Sequence, residues 1–347
     1  MFMYLGYALK LAGIFLSIYA ADALAVDEAA SNKHAVAVIA DSQFKLGNAT
    51  IPMYISHDWA LAQPEITQAV LMFHGRLRNA DVYWRTAKNA LAVAKQSPHS
   101  ILIVPQFLAD ADIQKHALSE DFLHWQWEAW MGGEPANGPL AISSFEVIDA
   151  LLNRLADRQR FPNMRSVVLA GHSGGAQIVQ RYAVVGKAEA LLKSHAISVR
   201  YVVANSSSYL YFNETRPFAK SASCEKFNQW KYGWEAAPDY VDSKSRANYE
   251  TQYTQRDVVY LLGELDTNPQ HPALDKSCSA ELQGAFRLER GLHYFNYLQQ
   301  RHPTMTQQRI VRVPGIAHDG DAMFESAAGI SALFETATPK HEQSSRK

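Results

Sequence analysis

One serine lies where a strand pattern runs directly into a helix pattern, and this feature constrains the chain more than any other. Apolar residues over 166–170 lead into Gly171, Ser173 and Gly175, and a helical pattern follows at once. A serine in such a Gly-x-Ser-x-Gly turn has a strained backbone, so only small residues fit on either side of it. The pattern therefore predicts that Ser173 projects its hydroxyl above the end of a sheet strand.

Short β-branched or aliphatic runs alternate with helical patterns along most of the chain. The predicted strands cover 51–55, 69–73, 101–105, 166–170, 199–203, 258–262 and 309–313. The predicted helices cover 81–95, 143–157, 174–185, 290–301 and 321–334, and Ser143 with Glu146 forms a capping box at the start of the second. Several strands are apolar on both faces, which is typical of a covered parallel sheet. We therefore predict an α/β fold, with a mostly parallel central sheet and helices on both faces.

Acidic and histidine candidates follow two of the later strands. A serine hydroxyl needs a base to take its proton, and a carboxylate must orient that base. In this architecture the chain order is serine, then acid, then histidine. Asp266 and His318 obey that order, and each lies just beyond a predicted strand, on the same edge of the sheet as Ser173. We predict Asp266 as the orienting acid, with Glu264 as its rival, and His318 as the base.

The residues after the strand at 69–73 are candidates for stabilising an oxyanion. They read His74, Gly75 and Arg76, and the glycine lets the backbone turn and point its amides at the site. We predict the backbone N–H groups of Arg76 and Gly174 as the two donors. The Arg76 guanidinium either binds a substrate carboxylate or is a solvated surface group, and the second interpretation is favoured.

Four further side chains are candidate substrate-binding residues, namely His74, Asn205, Trp125 and Trp127. Asn205 ends a strand, and its alternative role is simply to form a turn. The two tryptophans, with Trp130, form either an aromatic wall for the substrate or an anchor that fixes an insertion to the core. The sequence leaves these alternatives open.

The chain has two cysteines and 13 histidines. No metal-binding spacing occurs among them, so we predict neither a metal nor another cofactor. His271 and His302 each lie beside a proline and are predicted to be surface or satisfied core residues. Cys224 and Cys278 are 54 positions apart and are predicted to form a disulfide, because the chain is predicted to be exported. The alternative is two buried free thiols.

The amino terminus has the pattern of a secretory signal. Apolar residues over 11–20 precede the small-x-small sequence that ends at Ala25, so we predict cleavage of residues 1–25. An uncleaved membrane anchor is the alternative, but the apolar run is shorter than the roughly 20 residues that a spanning helix needs. The mature protein is then predicted to be secreted or periplasmic, with no stable insertion in the membrane.

The rest of the chain divides into one large domain and its extensions. We predict a flexible leader over 26–37, a catalytic domain over 38–337 and a flexible tail over 338–347. Two aromatic-rich insertions, at 107–140 and 206–256, follow strands and are expected to lie over the site, the second as a candidate lid.

Charge and composition exclude several classes of protein. The 33 lysines and arginines nearly balance 34 acidic residues, so there is no positive field to attract nucleic acid. Hydrophobic residues make up 48% of the chain and charged residues 19%, which excludes a disordered chain. Nucleic acid is therefore excluded as a partner, and the oligomeric state is left open.

Taken together, these residues resemble the α/β-hydrolase superfamily. The likeness covers about residues 40–335 and rests on His74 and Gly75 after an early strand, the turn around Ser173, and then Asp266 and His318. More weakly, the chain is similar to secreted esterases of the polyhydroxyalkanoate depolymerase and feruloyl esterase type. The resemblance implies the α/β-hydrolase fold and an exported serine hydrolase that cleaves carboxylic esters through an acyl-enzyme. It also implies a small-molecule or polymeric ester substrate as the partner. A peptidase or amidase, an acyltransferase, and a non-catalytic binding protein on the same scaffold are the alternatives.

Overall fold

The computed structural model describes residues 33–219, 224–242 and 245–335. The predicted signal peptide, the first part of the predicted leader and the predicted tail at 338–347 lie outside these residues. Within the described ranges, we find no helix with the length and apolar character needed to cross a membrane.

A sheet of eight strands forms the centre of the structure. In chain order its strands are β1 (Ser42–Leu46), β2 (Ala49–Ile55), β3 (Gln68–Phe73), β4 (Ser100–Pro105), β7 (Ser166–His172), β8 (Ser198–Ala204), β9 (Asp257–Gly263) and β10 (Gln308–Val313). They lie side by side in the order β1-β2-β4-β3-β7-β8-β9-β10. The six strands from β4 to β10 in that order are parallel, whereas β1 and β2 are antiparallel to their neighbours. Two short strands, β5 (Leu108–Ala109) and β6 (His124–Trp125), pair separately.

All seven predicted strands are present in the central sheet, so the predicted fold class is confirmed. The sequence missed β1, whose residues alternate between half-buried and exposed. Among the described strands it pairs only with β2, and it contains Lys45 and Gln43, so it lacks the continuous apolar character on which the other predictions depend.

Helices flank the sheet on both sides. They are α1 (Ala80–Ala94), α2 (Asp110–His116), α3 (Ser144–Leu155), α4 (Gly174–Val185), α5 (Glu189–Ser194), α6 (Arg246–Thr254), α7 (Cys278–Glu281), α8 (Arg287–Arg301), α9 (Gly320–Glu325) and α10 (Ala327–Phe334). The predicted helix at 321–334 is wrong as a single element, because it is divided into α9 and α10. Ser326 has an extended backbone there, and its hydroxyl accepts a hydrogen bond from the Gly329 N–H, which begins the second helix.

The hydrophobic core has two layers, one on each face of the sheet. Leu71 and Ile103 point into the layer that α3, α4 and α8 cover, whereas Val70 and Leu102 point into the layer covered by α1, α9 and α10. Successive strand residues therefore pack against opposite helical layers, as expected for a parallel sheet buried on both faces.

The described end of the predicted flexible leader is bound to the domain. Val36 is buried, and its N–H donates a 2.7 Å hydrogen bond to Asp112 Oδ1. The Arg78 guanidinium donates to the carbonyl of His34. At these two positions the leader forms hydrogen bonds to the buried charged groups of Asp112 and Arg78.

The second insertion is attached to the domain at several points. Tyr209, Leu210, Tyr211 and Phe212 are almost fully buried in the main core, so the insertion begins as part of that core. A disulfide then joins Cys224 to Cys278 at the start of α7. The predicted disulfide is confirmed, and the alternative of two free thiols is wrong.

Candidate active site

Ser173 lies in a tight turn between β7 and α4. Its backbone has φ 57° and ψ −114°, a conformation that is strained for any residue with a Cβ atom. The glycines of the turn are required by close backbone contacts: a Cβ atom on Gly171 would lie 2.2 Å from the Gly175 carbonyl carbon, and one on Gly175 would lie 2.1 Å from the Phe73 oxygen. The turn therefore holds Ser173 at the end of the strand and at the start of the helix.

A serine, a histidine and an aspartate form one hydrogen-bonded series. His318 Nε2 lies 3.0 Å from Ser173 Oγ, and His318 Nδ1 lies 2.8 Å from Asp266 Oδ2. Asp266 follows β9 and His318 follows β10, so the loops at the carboxyl ends of parallel strands bring them together. The rival acid, Glu264, instead forms a 3.0 Å ion pair with Arg312.

The environment of His318 favours the neutral imidazole. Burial and the nearby charges of Arg287, His271 and Arg76 hold the pKa of His318 well below its usual value. Asp266 is itself buried and accepts a second contact, at 3.3 Å, from the Arg287 guanidinium. A neutral imidazole has a free nitrogen lone pair, so it can take a proton from the serine hydroxyl.

The backbone before α1 approaches the backbone at the start of α4. A Cβ atom built on Gly174 would lie 2.8 Å from the backbone nitrogen of Arg76. The two segments that carry the predicted oxyanion donors are therefore adjacent, beside Ser173. Any side chain at Gly174 would collide with the Arg76 amide, so this glycine is required by the close approach.

Comparison with solved structures identifies the architecture. A poly(aspartic acid) hydrolase-1 from Sphingomonas sp. KT-1 matches with a TM-score of 0.59 and 20% identity, covering 86% of this chain and 99% of that one. A poly(3-hydroxybutyrate) depolymerase from Bordetella parapertussis matches with a TM-score of 0.59 and 20% identity, covering 91% and 96%. The chain has the α/β-hydrolase fold. No protein-family model and no curated protein sequence matches it.

Within this α/β-hydrolase fold, His74 lies in the core and does not line the cleft. Its side chain is fully buried, and the Phe107 N–H donates to its Nε2 at 3.0 Å. The ring proton must then be on Nδ1, which donates to the Gly75 carbonyl at 2.8 Å. Burial lowers the pKa of His74 to about 4, so the ring is neutral at pH 7. Both ring nitrogens of His74 therefore bind backbone groups, and neither is left to bind a substrate.

Asn205 also connects backbone segments. It is fully buried, its Oδ1 accepts from the Gly263 N–H at 2.8 Å, and its Nδ2 donates to the Ala317 carbonyl at 3.0 Å. These bonds link the end of β9 to the loop that carries His318. The structure therefore places Asn205 as a support of that loop and not in the cleft.

The predicted aromatic wall is only partly present. Trp125 is fully buried, and its Nε1 donates to the Glu134 carbonyl, so it anchors the insertion to the core. Trp130 is also fully buried, with its ring against His74. Trp127 is half-buried and lines a groove of about 530 Å³ together with Trp230.

Two clefts meet at Ser173, each with a volume of about 240 Å³. We name them by a lining residue. The His318 cleft also contains Asn79, Tyr83, Asp319 and Asp321. The Lys231 cleft contains Gln177, Ser207, Tyr232 and Asp275, and it continues past Lys231 and Tyr232 into the groove beside Trp127.

Arg76 and His271 lie in surroundings other than those that the sequence predicts. The Arg76 side chain is 17% exposed and lines both clefts, and its Nη1 lies 4.0 Å from Glu128 Oε1. It is therefore part of the site, and the favoured interpretation as a solvated surface arginine is wrong. The His271 ring packs 5.0 Å from the His318 ring, so it belongs to the same site, whereas His302 pairs with Glu250 at the surface of α8.

Sequence reasoning missed the residues of the Lys231 cleft. Gln177 had a usable signal, because it lies one helical turn after Ser173 and such residues share a helix face. Lys231, Tyr232 and Asp275 lie in irregular segments with no periodicity. Among the residues that the structure describes, no group of three or more His, Cys, Asp or Glu side chains is arranged to hold a metal ion.

Proposed function

We propose that the protein is an exported serine hydrolase that cleaves carboxylic esters. The observation that carries the proposal is the hydrogen-bonded series from Ser173 Oγ through His318 to Asp266, at 3.0 and 2.8 Å. In this proposal, Ser173 is the nucleophile, His318 the general base and Asp266 the residue that orients the imidazole. The strained turn at Ser173 and the neutral state of His318 support these roles.

The proposed reaction has two steps, acylation of Ser173 and hydrolysis of the acyl-enzyme. Ser173 Oγ bonds to the acyl carbon while its proton passes to His318 Nε2, and the backbone N–H groups of Arg76 and Gly174 stabilise the oxyanion. The carbon–oxygen bond to the alcohol then breaks, and His318 returns the proton to the leaving alcohol. Water repeats the sequence on the acyl-enzyme, which releases the carboxylic acid and restores Ser173.

Several features support this function and the location. Two of the solved structures that match are named as a hydrolase and a depolymerase of polymers, and a small or polymeric ester is the substrate class we propose. The Cys224–Cys278 disulfide supports export, because disulfides persist in oxidising compartments. We propose the segment 38–337 as the catalytic domain, with the insertions at 107–140 and 206–256 forming walls of the site.

Labelling with a fluorophosphonate tests the proposal without knowledge of the substrate. The probe forms a phosphorus–oxygen bond to an activated serine and releases fluoride, and peptide mass spectrometry locates the adduct. We expect the adduct on Ser173, with loss of labelling in His318→Ala. The matched control is His302→Ala, a surface histidine paired with Glu250, which should label at the wild-type rate. Folded protein without an adduct on Ser173 would contradict the proposal.

A second set of assays distinguishes the alternative functions. Protein whose Ser173 is reactive to the probe is assayed without the probe, and faster hydrolysis of aminoacyl anilides than of matched esters would indicate an amidase. Ester product formed from an added alcohol would indicate an acyltransferase. Full biological activity in Ser173→Ala would indicate a non-catalytic binding protein.

A further inference from the structure

Of the two clefts at Ser173, one is lined by the proposed base, His318, and the other is not. The leaving alcohol must receive its proton from His318 Nε2, so it must lie on the side where His318 is exposed. That side is the His318 cleft, whereas the Lys231 cleft contains Ser173 and Gly174 but is not lined by His318. Gly174 lines the Lys231 cleft, and Arg76 lines both clefts. With the alcohol in the His318 cleft, the Lys231 cleft is left for the acyl chain.

The walls of the Lys231 cleft are mostly polar and disfavour an alkyl chain relative to a polar one. Gln177, Ser207, Tyr232 and Asp275 line it, together with the cations Lys231 and Arg76. Covering such groups with hydrocarbon would remove their hydration without replacing it, which is costly. The volume of about 240 Å³ equals the space of about eight water molecules, enough for an acyl chain of four or five carbons.

Lys231 is available to a ligand in this cleft. Its Nζ lies 4.0 Å from Asp275 Oδ2, beyond hydrogen-bond distance. Asp275 is already satisfied by other donors, since its Oδ2 accepts from the Tyr232 hydroxyl at 2.7 Å and its Oδ1 accepts from the Ser277 N–H at 3.0 Å. The Lys231 ammonium therefore keeps donors for an acceptor that enters the cleft.

Buried arginines lie directly behind the same walls. Arg181 Nε donates to the Lys231 carbonyl, and Arg290 Nη1 donates to the carbonyls of Ser207 and Asp275. Both side chains are fully buried, and each has one guanidinium nitrogen with no hydrogen-bond partner among the described residues. Burial lowers the pKa of Arg181 to about 10, so it remains charged at neutral pH.

Positive charge exceeds negative charge among the buried groups around the cleft. The cations are Arg76, Arg181, Lys231, Arg287 and Arg290, and the carboxylates are Asp266, Asp275, Glu128 and, near Arg290, the exposed Glu281 and the half-buried Glu289. Glu128 lies at the exposed mouth, with its side chain 41% exposed, so water screens its charge. In the buried part, an excess of cations favours a ligand that brings a negative charge.

We propose that the Lys231 cleft binds a carboxylate on the acyl part of the substrate, so that the enzyme prefers half-esters of short dicarboxylic acids. The proposal rests on the hydrolase function proposed above and specifies its substrate class. Lys231 and Arg76 are the residues that contact the carboxylate, and Arg181 supplies charge from behind Lys231.

Two esters of matched size and a smaller apolar one test this preference. Monoethyl succinate carries a carboxylate, ethyl succinamate carries a neutral amide of the same shape, and ethyl butyrate carries a methyl group. We expect kcat/KM for monoethyl succinate to exceed that for ethyl succinamate by about tenfold, the usual effect of one charge-assisted hydrogen bond. In Lys231→Met the ratio should fall several-fold, because only Arg76 then contacts the carboxylate, and Lys231→Arg should restore part of it. The control is Lys193→Met, an exposed lysine paired with Glu189, which should leave the ratio unchanged.

Fluorophosphonate labelling of the same samples separates the two proposals. If Ser173 labels and ethyl succinamate is turned over as fast as monoethyl succinate, the carboxylate proposal is overturned and the hydrolase proposal stands. If Ser173 labels but no ester is turned over, the esters are compared by how much each slows the labelling of Ser173. Equal slowing by monoethyl succinate and ethyl succinamate overturns the carboxylate proposal. If Ser173 does not label and no ester is turned over, the hydrolase proposal fails, and this proposal fails with it.

Discussion

The His74 ring holds the carbonyl of Gly75 through a 2.8 Å hydrogen bond from Nδ1. The carbonyl and the N–H of one peptide unit are fixed in a common plane, so holding the Gly75 oxygen also fixes the Arg76 N–H. The Arg78 N–H donates to the same oxygen at 3.1 Å. His74 thus positions one of the two proposed oxyanion donors without touching the substrate.

We predict that His74→Phe, which keeps a ring but removes both hydrogen bonds, lowers kcat by about ten- to a hundredfold, below the loss from deleting an oxyanion donor outright. KM should change little, because the donor acts mainly in the transition state. Steady-state kinetics with ethyl butyrate measure the effect. Thermal unfolding of the same variant gives the loss of stability, and a KM that rises while kcat is unchanged would contradict the positioning role.

The second prediction concerns pH. Burial and nearby cations hold the pKa of His318 below its usual value of 6.5, and the imidazole must be neutral to act as a base. The acidic limb of kcat/KM should therefore lie below pH 6.5, with activity lost as the pH falls through the lowered pKa. Removing a cation favours the protonated ring, so Arg76→Met should move the limb to higher pH.

A pH profile with ethyl butyrate, a neutral substrate, checks this shift without interference from binding of a charged acyl group. Arg309→Met is the matched control, because Arg309 is an exposed arginine at the opposite end of the sheet, paired with Asp257. Its limb should coincide with that of the wild type. A limb that stays in place or moves lower in Arg76→Met would show that Arg76 does not act on His318 through its charge.

Most of the sheet and the Ser173–Asp266–His318 set could be predicted from the sequence. The reason is local: each of these residues follows a continuous apolar strand, and the carboxyl ends of parallel strands lie on one edge of the sheet. The antiparallel edge strand β1 lacks that apolar signal. The division between α9 and α10 depends on one capping serine, Ser326, inside an otherwise helical pattern.

The rest of the site required the three-dimensional structure. His74 and Asn205 have the residue types and positions of substrate-binding groups, and only their hydrogen bonds show that they hold backbone segments. Lys231 and Asp275 come together through irregular chain with no periodic pattern. The sequence favours a solvated Arg76 side chain, because its local pattern does not show that the side chain lines two clefts.

The third prediction concerns the Cys224–Cys278 disulfide, which closes a loop with a sequence separation of 54 residues. The chain-entropy relation gives a stabilisation of about 4 kcal/mol for a loop of this length. Replacing both cysteines by serine should lower the free energy of unfolding by up to that amount in a urea titration. Reductant should destabilise the wild type to a similar extent and have no effect on the double variant. A loss below about 1 kcal/mol would contradict the entropic account.

The fourth prediction concerns the buried pair of Arg78 and Asp112. Arg78 Nε lies 2.8 Å from Asp112 Oδ2, and both side chains are fully buried. Asp112 also accepts from the N–H groups of Val36 and Ala109, each at 2.7 Å. One carboxylate thus connects the chain before β1, the start of α2 and the loop that carries Arg76.

Asp112→Asn keeps the shape of the side chain, but it removes the charge that balances Arg78 and replaces an acceptor by an amide donor. We expect the free energy of unfolding to fall by about 3–5 kcal/mol, the usual cost of leaving one member of a buried ion pair without its partner. Asp110→Asn, at an exposed aspartate on the same helix, is the control and should change stability by less than about 0.5 kcal/mol.

Urea unfolding measures the stability of both variants. If the two variants unfold at the same urea concentration, the pair of Arg78 and Asp112 does not hold the segment around Val36. If only Asp112→Asn is destabilised and its kcat also falls, the pair supports the oxyanion loop as well, because the Arg78 N–H helps to hold the Gly75 carbonyl.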